Sequence, residues 1–169
     1  YDAMAMGNRE SHPHARPLAQ KLKDATFPVL SANLVARGGE LPKVVRPYAL
    51  LERGGLRLGV FGLTLQITKP HSLWAKVTDF VFEDPLVTAR RVAGELRPQA
   101  ELVICLSHCG LGVDRNLVTI ETIDLVLGGH THREVIEQQP GCALLVHPGA
   151  YGHRMSRTEI SGPSHQPIY

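Results

Sequence analysis

One stretch decides the architecture: Asp124-Leu125-Val126-Leu127-Gly128-Gly129-His130-Thr131-His132. It joins an apolar strand to a glycine turn and a His-x-His pair. Short runs rich in leucine and valine are typical of strands buried inside a sheet. Gly128 and Gly129 permit a tight turn with positive φ, which brings backbone and side chains up to a ligand. Neutral imidazole is the commonest metal-binding side chain. The pair therefore predicts a metal site, and a surface loop that carries two histidines is the alternative.

Two further segments end in the same way. Residues 101–108 form a second apolar run that ends in a histidine, and residues 5–8 end an apolar stretch in a glycine and a carboxamide. In α/β sheets, the loops at the carboxyl ends of the strands gather into one crevice, where ligands bind. Such a mixture of nitrogen and oxygen donors suits a divalent transition ion better than calcium or magnesium. We therefore expect four side chains to converge as ligands: Asn8, His108, His130 and His132.

The rest of the chain alternates predicted strands and helices, which fits an α/β sandwich. Asp84-Pro85 opens a helix to about residue 96, with aspartate at the N-cap and proline as the first helical residue. We predict two further helices, about 13–24 and 114–120, and strands near 27–32, 44–52, 56–63, 142–147 and 155–160. Residues 64–82 form a long irregular connection that holds Trp74. Long loops are often functional, so this one either rims a substrate crevice or uses Trp74 as a packing anchor.

Three blocks resemble a known family. Gly7-Asn8-Arg9-Glu10, Leu106-Ser107-His108 and Gly129-His130-Thr131-His132 occur in the order found in the calcineurin-like metallophosphoesterases, specifically in the catalytic domain of the 5′-nucleotidase branch. The sequence outside these blocks also resembles the family, for example at Pro148-Gly149-Ala150-Tyr151-Gly152. The resemblance covers roughly residues 1 to 160. It implies a four-layer α-β-β-α sandwich of the metallo-dependent phosphatase type, with a partial domain over residues 1–161. The glycine, proline and serine residues that follow predict a linker-like tail over 162–169.

Two departures from the family pattern bear on chemistry. The Asp-x-His and Gly-Asp blocks, which supply three metal ligands in the family, do not occur in these residues. We expect a domain that is incomplete at its N-terminus and inactive alone, and a protein that lost half of its metal site is the alternative. The second departure is Arg9, where the family has histidine. Arginine is not a general acid, but it clamps phosphate oxygens and stabilises charge, so Arg9 is expected to bind substrate and to assist catalysis electrostatically.

The resemblance implies a metal-dependent hydrolase of small phosphate monoesters, with nucleotides among the candidate substrates. Asn8, His108 and His130 match the ligands of one divalent ion, and His132 matches a ligand of a second. Manganese, iron, zinc and cobalt all suit these donors, and a water activated by the two ions would attack phosphorus. Two alternatives stay open: a non-catalytic domain of the same fold that binds phosphate or nucleotide, and a dinuclear-metal hydrolase of sulfur-containing conjugates.

Composition is that of an ordinary globular domain. The 169 residues carry a net charge of only +2 and 5% aromatic residues, which argues against a nucleic-acid surface. No apolar run reaches the roughly 18 residues that span a bilayer. Of the three cysteines, Cys105 is predicted to be a core residue, and for Cys109, next to His108, contact with the site is the less favoured interpretation. Oligomeric state and compartment, cytoplasmic or periplasmic, stay open.

Overall fold

The computed structural model describes residues 1–38, 40–161 and 167–168. In this part of the chain the helices are α1 (Ala15–Leu22), α2 (Pro85–Leu96) and α3 (Leu111–Leu117), with 3₁₀ helices at Leu73–Val77 and Arg97–Gln99. The strands are β1 (Met4–Ala5), β2 (Val29–Leu30), β3 (Leu34–Ala36), β4 (Val45–Arg46), β5 (Tyr48–Arg53), β6 (Leu56–Thr64), β7 (Phe80–Phe82), β8 (Leu102–His108), β9 (Leu125–Gly128), β10 (Glu134–Glu137), β11 (Leu144–Pro148), β12 (Ile160–Ser161) and β13 (Pro167–Ile168). Apart from β13, the predicted tail lies outside the described residues.

A six-stranded sheet in the order β10-β11-β9-β8-β6-β5 forms the centre of the molecule. Its four inner strands run parallel, and the edge strands β5 and β10 are antiparallel to their neighbours. Because parallel strands point the same way, β6, β8, β9 and β11 all end at one edge of the sheet. This edge carries the predicted ligands that follow β8 and β9.

A smaller parallel sheet, β1-β2-β4, packs against the large one. Leu18 and Leu22 of α1 are buried with Met6 and Val29 on the outer side of this small sheet. Helix α2 covers the outer face of the six-stranded sheet through four buried side chains: Ala89, Val92, Ala93 and Leu96. The order of layers is therefore helix, sheet, sheet, helix, and the expected α-β-β-α sandwich is confirmed.

Helix α2 follows directly from its sequence. The Asp84 carboxylate accepts the backbone N–H groups of Leu86 and Val87 at 2.9 and 3.0 Å, and Pro85 is the first helical residue. The apolar residues that recur every three to four positions form the buried face. No helix in the described part of the chain combines the length and the apolar character needed to cross a membrane.

Several predicted elements differ from the observed ones. The third helix begins at Leu111, three residues before the predicted start. The connection over 64–82 contains a 3₁₀ helix and β7, which pairs with the unpredicted β3. Strand β10 was also not predicted, and the strand expected over 155–160 is wrong except for Ile160. These strands are two to four residues long, too short to carry a periodic pattern.

The two sheets approach each other closely at Gly62 in β6. A Cβ at this position would collide with the carbonyl group of Leu30 and would lie 2.5 Å from the Leu30 Cβ. The Gly62 carbonyl accepts the Ala32 N–H at 2.7 Å, so backbone of β6 bonds directly to the chain that follows β2. Only glycine permits this contact, and the spacing between the sheets therefore depends on Gly62.

We predict that Gly62→Ala lowers the free energy of unfolding by about 3 kcal/mol, because the added methyl group forces the backbone of β6 away from that of Leu30 in a packed core. Gly94→Ala is the matched control. A Cβ at Gly94, inside α2, meets no atom within 4 Å, so this change is expected to raise stability by about 0.5–1 kcal/mol through helix propensity. Urea unfolding of both variants measures the difference, and equal stabilities would contradict the close contact.

Candidate metal centre

Hydrogen bonds from Thr64 tie together the strand ends that surround the site. Thr64, the last residue of β6, donates its hydroxyl to the Met6 carbonyl at 2.9 Å, and its backbone N–H donates to Asn33 Oδ1 at 2.9 Å. The next residue, Leu65, donates its N–H to the His108 carbonyl at 3.2 Å. These bonds hold the ends of β1, β6 and β8 next to one another. Asn33 is fully buried, and its side-chain amide also donates to the Thr64 carbonyl at 2.8 Å.

Asn8, His108 and His130 lie together at this edge. His108 Nε2 donates to Asn8 Oδ1 at 2.9 Å, and the rings of His108 and His130 meet edge to face with centroids 5.1 Å apart. Burial and, next in size, the neighbouring His130 lower the pKa of His108. A lowered pKa favours the neutral imidazole, the form that binds metal ions. Three of the four predicted ligands are thus brought together, two from loops and His108 from the end of β8.

His132 is oriented differently from His130. Its ring packs edge to face against Tyr151, with centroids 5.0 Å apart, while Tyr151 also lies 6.1 Å from the ring of His153. His130, His132 and Tyr151 have φ values of 72°, 56° and 59°. Residues other than glycine rarely adopt this left-handed region, and strained positions of this kind cluster at functional sites. The loop therefore holds its two histidines in a conformation that is costly by itself.

The donor set agrees with a divalent metal ion but falls short of a complete site. Across residues 1–38 and 40–161, no three His, Cys, Asp or Glu side chains are grouped to hold a metal ion. Two imidazoles and one amide oxygen nevertheless converge, and Asn8 Oδ1 and His108 Nε2 already face each other at 2.9 Å. Both atoms are ordinary ligands of a transition ion. The residues present therefore fit part of a metal-binding shell.

Arg9 and Glu10 are next to the predicted ligand Asn8. Arg9 is exposed to solvent, and its carbonyl accepts the Lys21 ammonium at 2.8 Å. The Glu10 carboxylate accepts the Gly7 N–H at 3.0 Å. This bond closes the turn that presents Asn8. A Cβ at Gly7 would collide with the Glu10 carboxylate and lie 3.2 Å from His108 Cε1, so a larger residue there would displace these side chains.

A buried network under the site was not foreseen from the sequence. Asp114, in the first turn of α3, accepts the Ser107 hydroxyl at 2.5 Å and His147 Nε2 at 2.8 Å. Asp114 and His147 are at most 1% exposed, and Ser107 is 4% exposed. A Cβ at Gly128 would collide with His147 Nε2 and lie 2.5 Å from Asp114 Oδ2. The network therefore links β8, α3 and β11 under the glycine that precedes the His130 loop.

The sequence contains a partial signal for this network. His147 directly follows the apolar run Leu144-Leu145-Val146, and polar side chains are rarely buried without a partner. Asp114 is followed by Arg115 and Asn116, so its neighbours in sequence give no such signal. The sequence pattern, however, places Asp114 only at the start of a helix. In the structure, His147 lies under the site and is hydrogen-bonded to Asp114. Its Nδ1 is a buried nitrogen without a hydrogen-bond partner among the described residues.

The cysteines and Asp124 have structural roles. Burial raises the pKa of the Cys109 thiol to about 12 and raises that of Cys105 as well, so both thiols stay protonated. Cys105 is a core residue as predicted. The Asp124 carboxylate accepts Arg97 at 2.8 Å and the Val103 N–H at 2.6 Å. These bonds lie at the opposite end of the strands from the histidines, as expected for a structural aspartate.

Comparisons with known proteins agree with the blocks identified in the sequence. The chain is 31% identical over 151 residues to the protein UshA of Yersinia enterocolitica, covering 80% of this chain and 27% of that protein. It is 34% identical to the 5′-nucleotidase of Rattus norvegicus, covering 78% of this chain and 24% of that protein. No protein-family model matches the chain.

A solved structure extends the likeness to three dimensions. The 5′-nucleotidase precursor of Thermus thermophilus superimposes with a TM-score of 0.68 at 29% sequence identity, over 99% of this chain and 32% of that one. The chain thus spans about a quarter to a third of the length of the proteins it matches. The similarity concerns this segment and not their remaining parts.

We predict that Asp114→Ala lowers the free energy of unfolding by about 3 kcal/mol, because Ser107 and His147 would keep buried polar atoms without an acceptor. Asp24→Ala, at an exposed position after α1, is the control and is expected to change stability by less than about 0.5 kcal/mol. Denaturant midpoints of the two variants make the comparison. A loss no larger than that of the control would show that the network contributes little.

Proposed function

The chain belongs to the 5′-nucleotidase branch of the metallophosphoesterases, and from this premise we propose that the intact protein hydrolyses small phosphate monoesters with divalent metal ions. The observation that carries the proposal is the convergence of Asn8, His108 and His130 at the carboxyl edge of the sheet. Nucleotides are among the candidate substrates, because relatives are named 5′-nucleotidases.

Four side chains would hold the metal ions in this proposal. Asn8, His108 and His130 hold one ion, and His132 contributes to a second, whose other ligands are not in the described residues. The lowered pKa of His108 supports the assignment, because it keeps a nitrogen lone pair available near neutral pH. When bound, two such ions supply charge stabilisation for the phosphoryl oxygens and a water of lowered pKa. Metal identity, among manganese, iron, zinc and cobalt, is left to experiment.

Arg9 binds the phosphate in this proposal. The guanidinium is exposed on the turn that presents Asn8, so it is accessible to a ligand at the site. It offers two parallel N–H donors to phosphate oxygens and stays charged throughout the reaction. Because arginine is not a general acid, Arg9 has no role in protonating the leaving oxygen. Its contribution is charge stabilisation, which is most effective where water is excluded.

A second candidate function is phosphate or nucleotide binding without catalysis. It is favoured by Arg9 in place of the family histidine and by the absence of a three-residue His, Cys, Asp or Glu cluster among the described residues. Such a protein would bind phosphate and show no turnover. A metal-dependent rate of hydrolysis in the intact protein rules it out.

We predict that the intact protein hydrolyses 4-nitrophenyl phosphate in the presence of Mn²⁺, and that chelation removes the activity. His130→Ala is expected to lower kcat/KM by about 100-fold or more, with a parallel loss of bound metal measured by elemental analysis. His71→Ala changes an exposed histidine outside the site and should leave both quantities unchanged.

The backbone at His130 requires a second variant. Its φ of 72° disfavours alanine, so His130→Gly separates the loss of the imidazole from the added backbone strain. Both variants should lose metal and activity to the same extent. Activity that survives chelation and both substitutions would exclude the proposed centre.

Arg9 gives an independent prediction. Arg9→Ala is expected to reduce kcat/KM by about 100-fold and to weaken inhibition by inorganic phosphate, since the charge and both donors are lost. Arg9→Lys should recover part of both effects, because the charge is kept without the bidentate geometry. Initial rates and phosphate inhibition constants provide the test. Equal activity in all three proteins would remove Arg9 from the substrate site.

A further inference from the structure

A tight turn follows β11 at the edge of the sheet that carries the candidate metal centre. The His153 N–H donates to the Ala150 carbonyl at 3.2 Å, and the two residues between them, Tyr151 and Gly152, have φ values of 59° and 67°. Positive φ at both central positions is the pattern of a type I′ turn, in which glycine, asparagine and aspartate predominate. A tyrosine at the first central position is therefore unfavourable for the backbone, and the turn itself does not explain it.

Burial does not explain the tyrosine either. Tyr151 is 83% exposed, so core packing does not offset its backbone conformation. Its ring instead meets two imidazoles edge to face, that of His132 at 5.0 Å and that of His153 at 6.1 Å between centroids. Because β11 and β9 are neighbouring parallel strands, the turn after β11 lies beside the loop after β9. The exposed ring thus connects this turn to the loop that carries His132.

The contact matters because the His132 ring has no hydrogen-bond partner among the described residues. A histidine that binds a metal ion usually donates its second ring N–H to a carboxylate or a carbonyl, which fixes the orientation of the ring. His108 bonds to Asn8, whereas no hydrogen bond within the described part of the chain reaches the exposed His132 imidazole. A side chain that is free to rotate loses conformational entropy when a ligand orders it. The edge-to-face contact with Tyr151 restricts this rotation before a ligand binds.

We propose that Tyr151 is a positioning residue, whose ring holds the His132 imidazole in the orientation that binds a divalent ion. The inference rests on the proposed function, because it takes His132 as a ligand of the second ion. It adds a residue outside the ligand set and explains why a tyrosine is kept in a left-handed conformation. The ring provides the effect, since aromatic pairs of this geometry are favourable beyond the apolar area that they bury. The Tyr151 hydroxyl makes no hydrogen bond within the described residues.

Three substitutions at position 151 separate the ring from the hydroxyl and from the backbone. Tyr151→Phe keeps the ring, Tyr151→Ala removes it without relieving the backbone, and Tyr151→Gly removes the ring and the strain together. Calorimetric titration of the metal-free intact protein with Mn²⁺ measures the binding of the ions, and His132→Ala identifies the second one. We expect Tyr151→Ala and Tyr151→Gly to weaken only the second ion, by about threefold to tenfold. Tyr151→Phe should match the wild type within about twofold.

A second measurement needs no metal ion. The NMR signals of the His132 ring protons report its orientation in the metal-free intact protein, because a neighbouring aromatic ring shifts them. We expect this shift in the wild type and in Tyr151→Phe, and its loss in Tyr151→Ala. Met155→Ala is the matched control, since Met155 is 95% exposed in the same segment and has no aromatic ring. It should leave both the shift and the Mn²⁺ affinities unchanged.

The outcomes separate this inference from the proposed function. If the wild type binds no metal ion and hydrolyses no ester, the proposed function fails. A ring shift that is then lost only without the aromatic ring keeps the positioning role of Tyr151, and an unchanged shift overturns it. Equal weakening of both ions in Tyr151→Ala would indicate a general loss of structure and overturn the inference. A Tyr151→Phe variant that behaves like Tyr151→Ala, or a Tyr151→Ala variant that matches the wild type, would overturn it as well.

Discussion

The buried carboxylate of Asp114 is the interaction on which the geometry of the candidate centre depends. It accepts hydrogen bonds from Ser107 at the end of β8 and from His147 in β11, and it belongs to α3 itself. A buried carboxylate is tolerated only when its oxygens are bonded, so these three elements have one favourable arrangement. Since glycine at position 128 leaves room for the pair, β9 and its His130 loop are placed by the same contact. The predicted ligands therefore lie above a polar network that fixes their strands.

Close backbone approach is the second constraint, and it acts between layers. Gly62 brings β6 against the chain after β2, and Thr64, two residues later, bonds to Met6 and Asn33. These contacts set where β1 ends, and with it the turn that presents Asn8. The left-handed backbone of the His130 loop is strained. Such a conformation persists only where the packed residues around it stabilise it. The positions of the side chains at the site are thus fixed by the packing of the two sheets below them.

The chemistry above these sheets divides into two tasks. In the proposed function, Asn8, His108 and His130 would provide donors for a metal ion, while Arg9 would offer charge to phosphate oxygens without transferring a proton.

The sequence by itself determined the elements with strong local signals, and it predicted which side chains meet at the carboxyl edge of the sheet. Helix α2 has its cap and its apolar face, β8 and β9 are continuous apolar runs, and the rule that ligands gather at carboxyl ends placed Asn8, His108 and His130 in one crevice. Only the tertiary structure decided β3, β7 and β10, whose few residues become strands through their partners. It also decided the role of Asp114, because a carboxylate that fits a helix start locally has its burial fixed by Ser107, His147 and Gly128, which are distant in sequence from one another. Local propensity depends on neighbouring residues, whereas burial and pairing depend on contacts that form only when the whole sheet assembles.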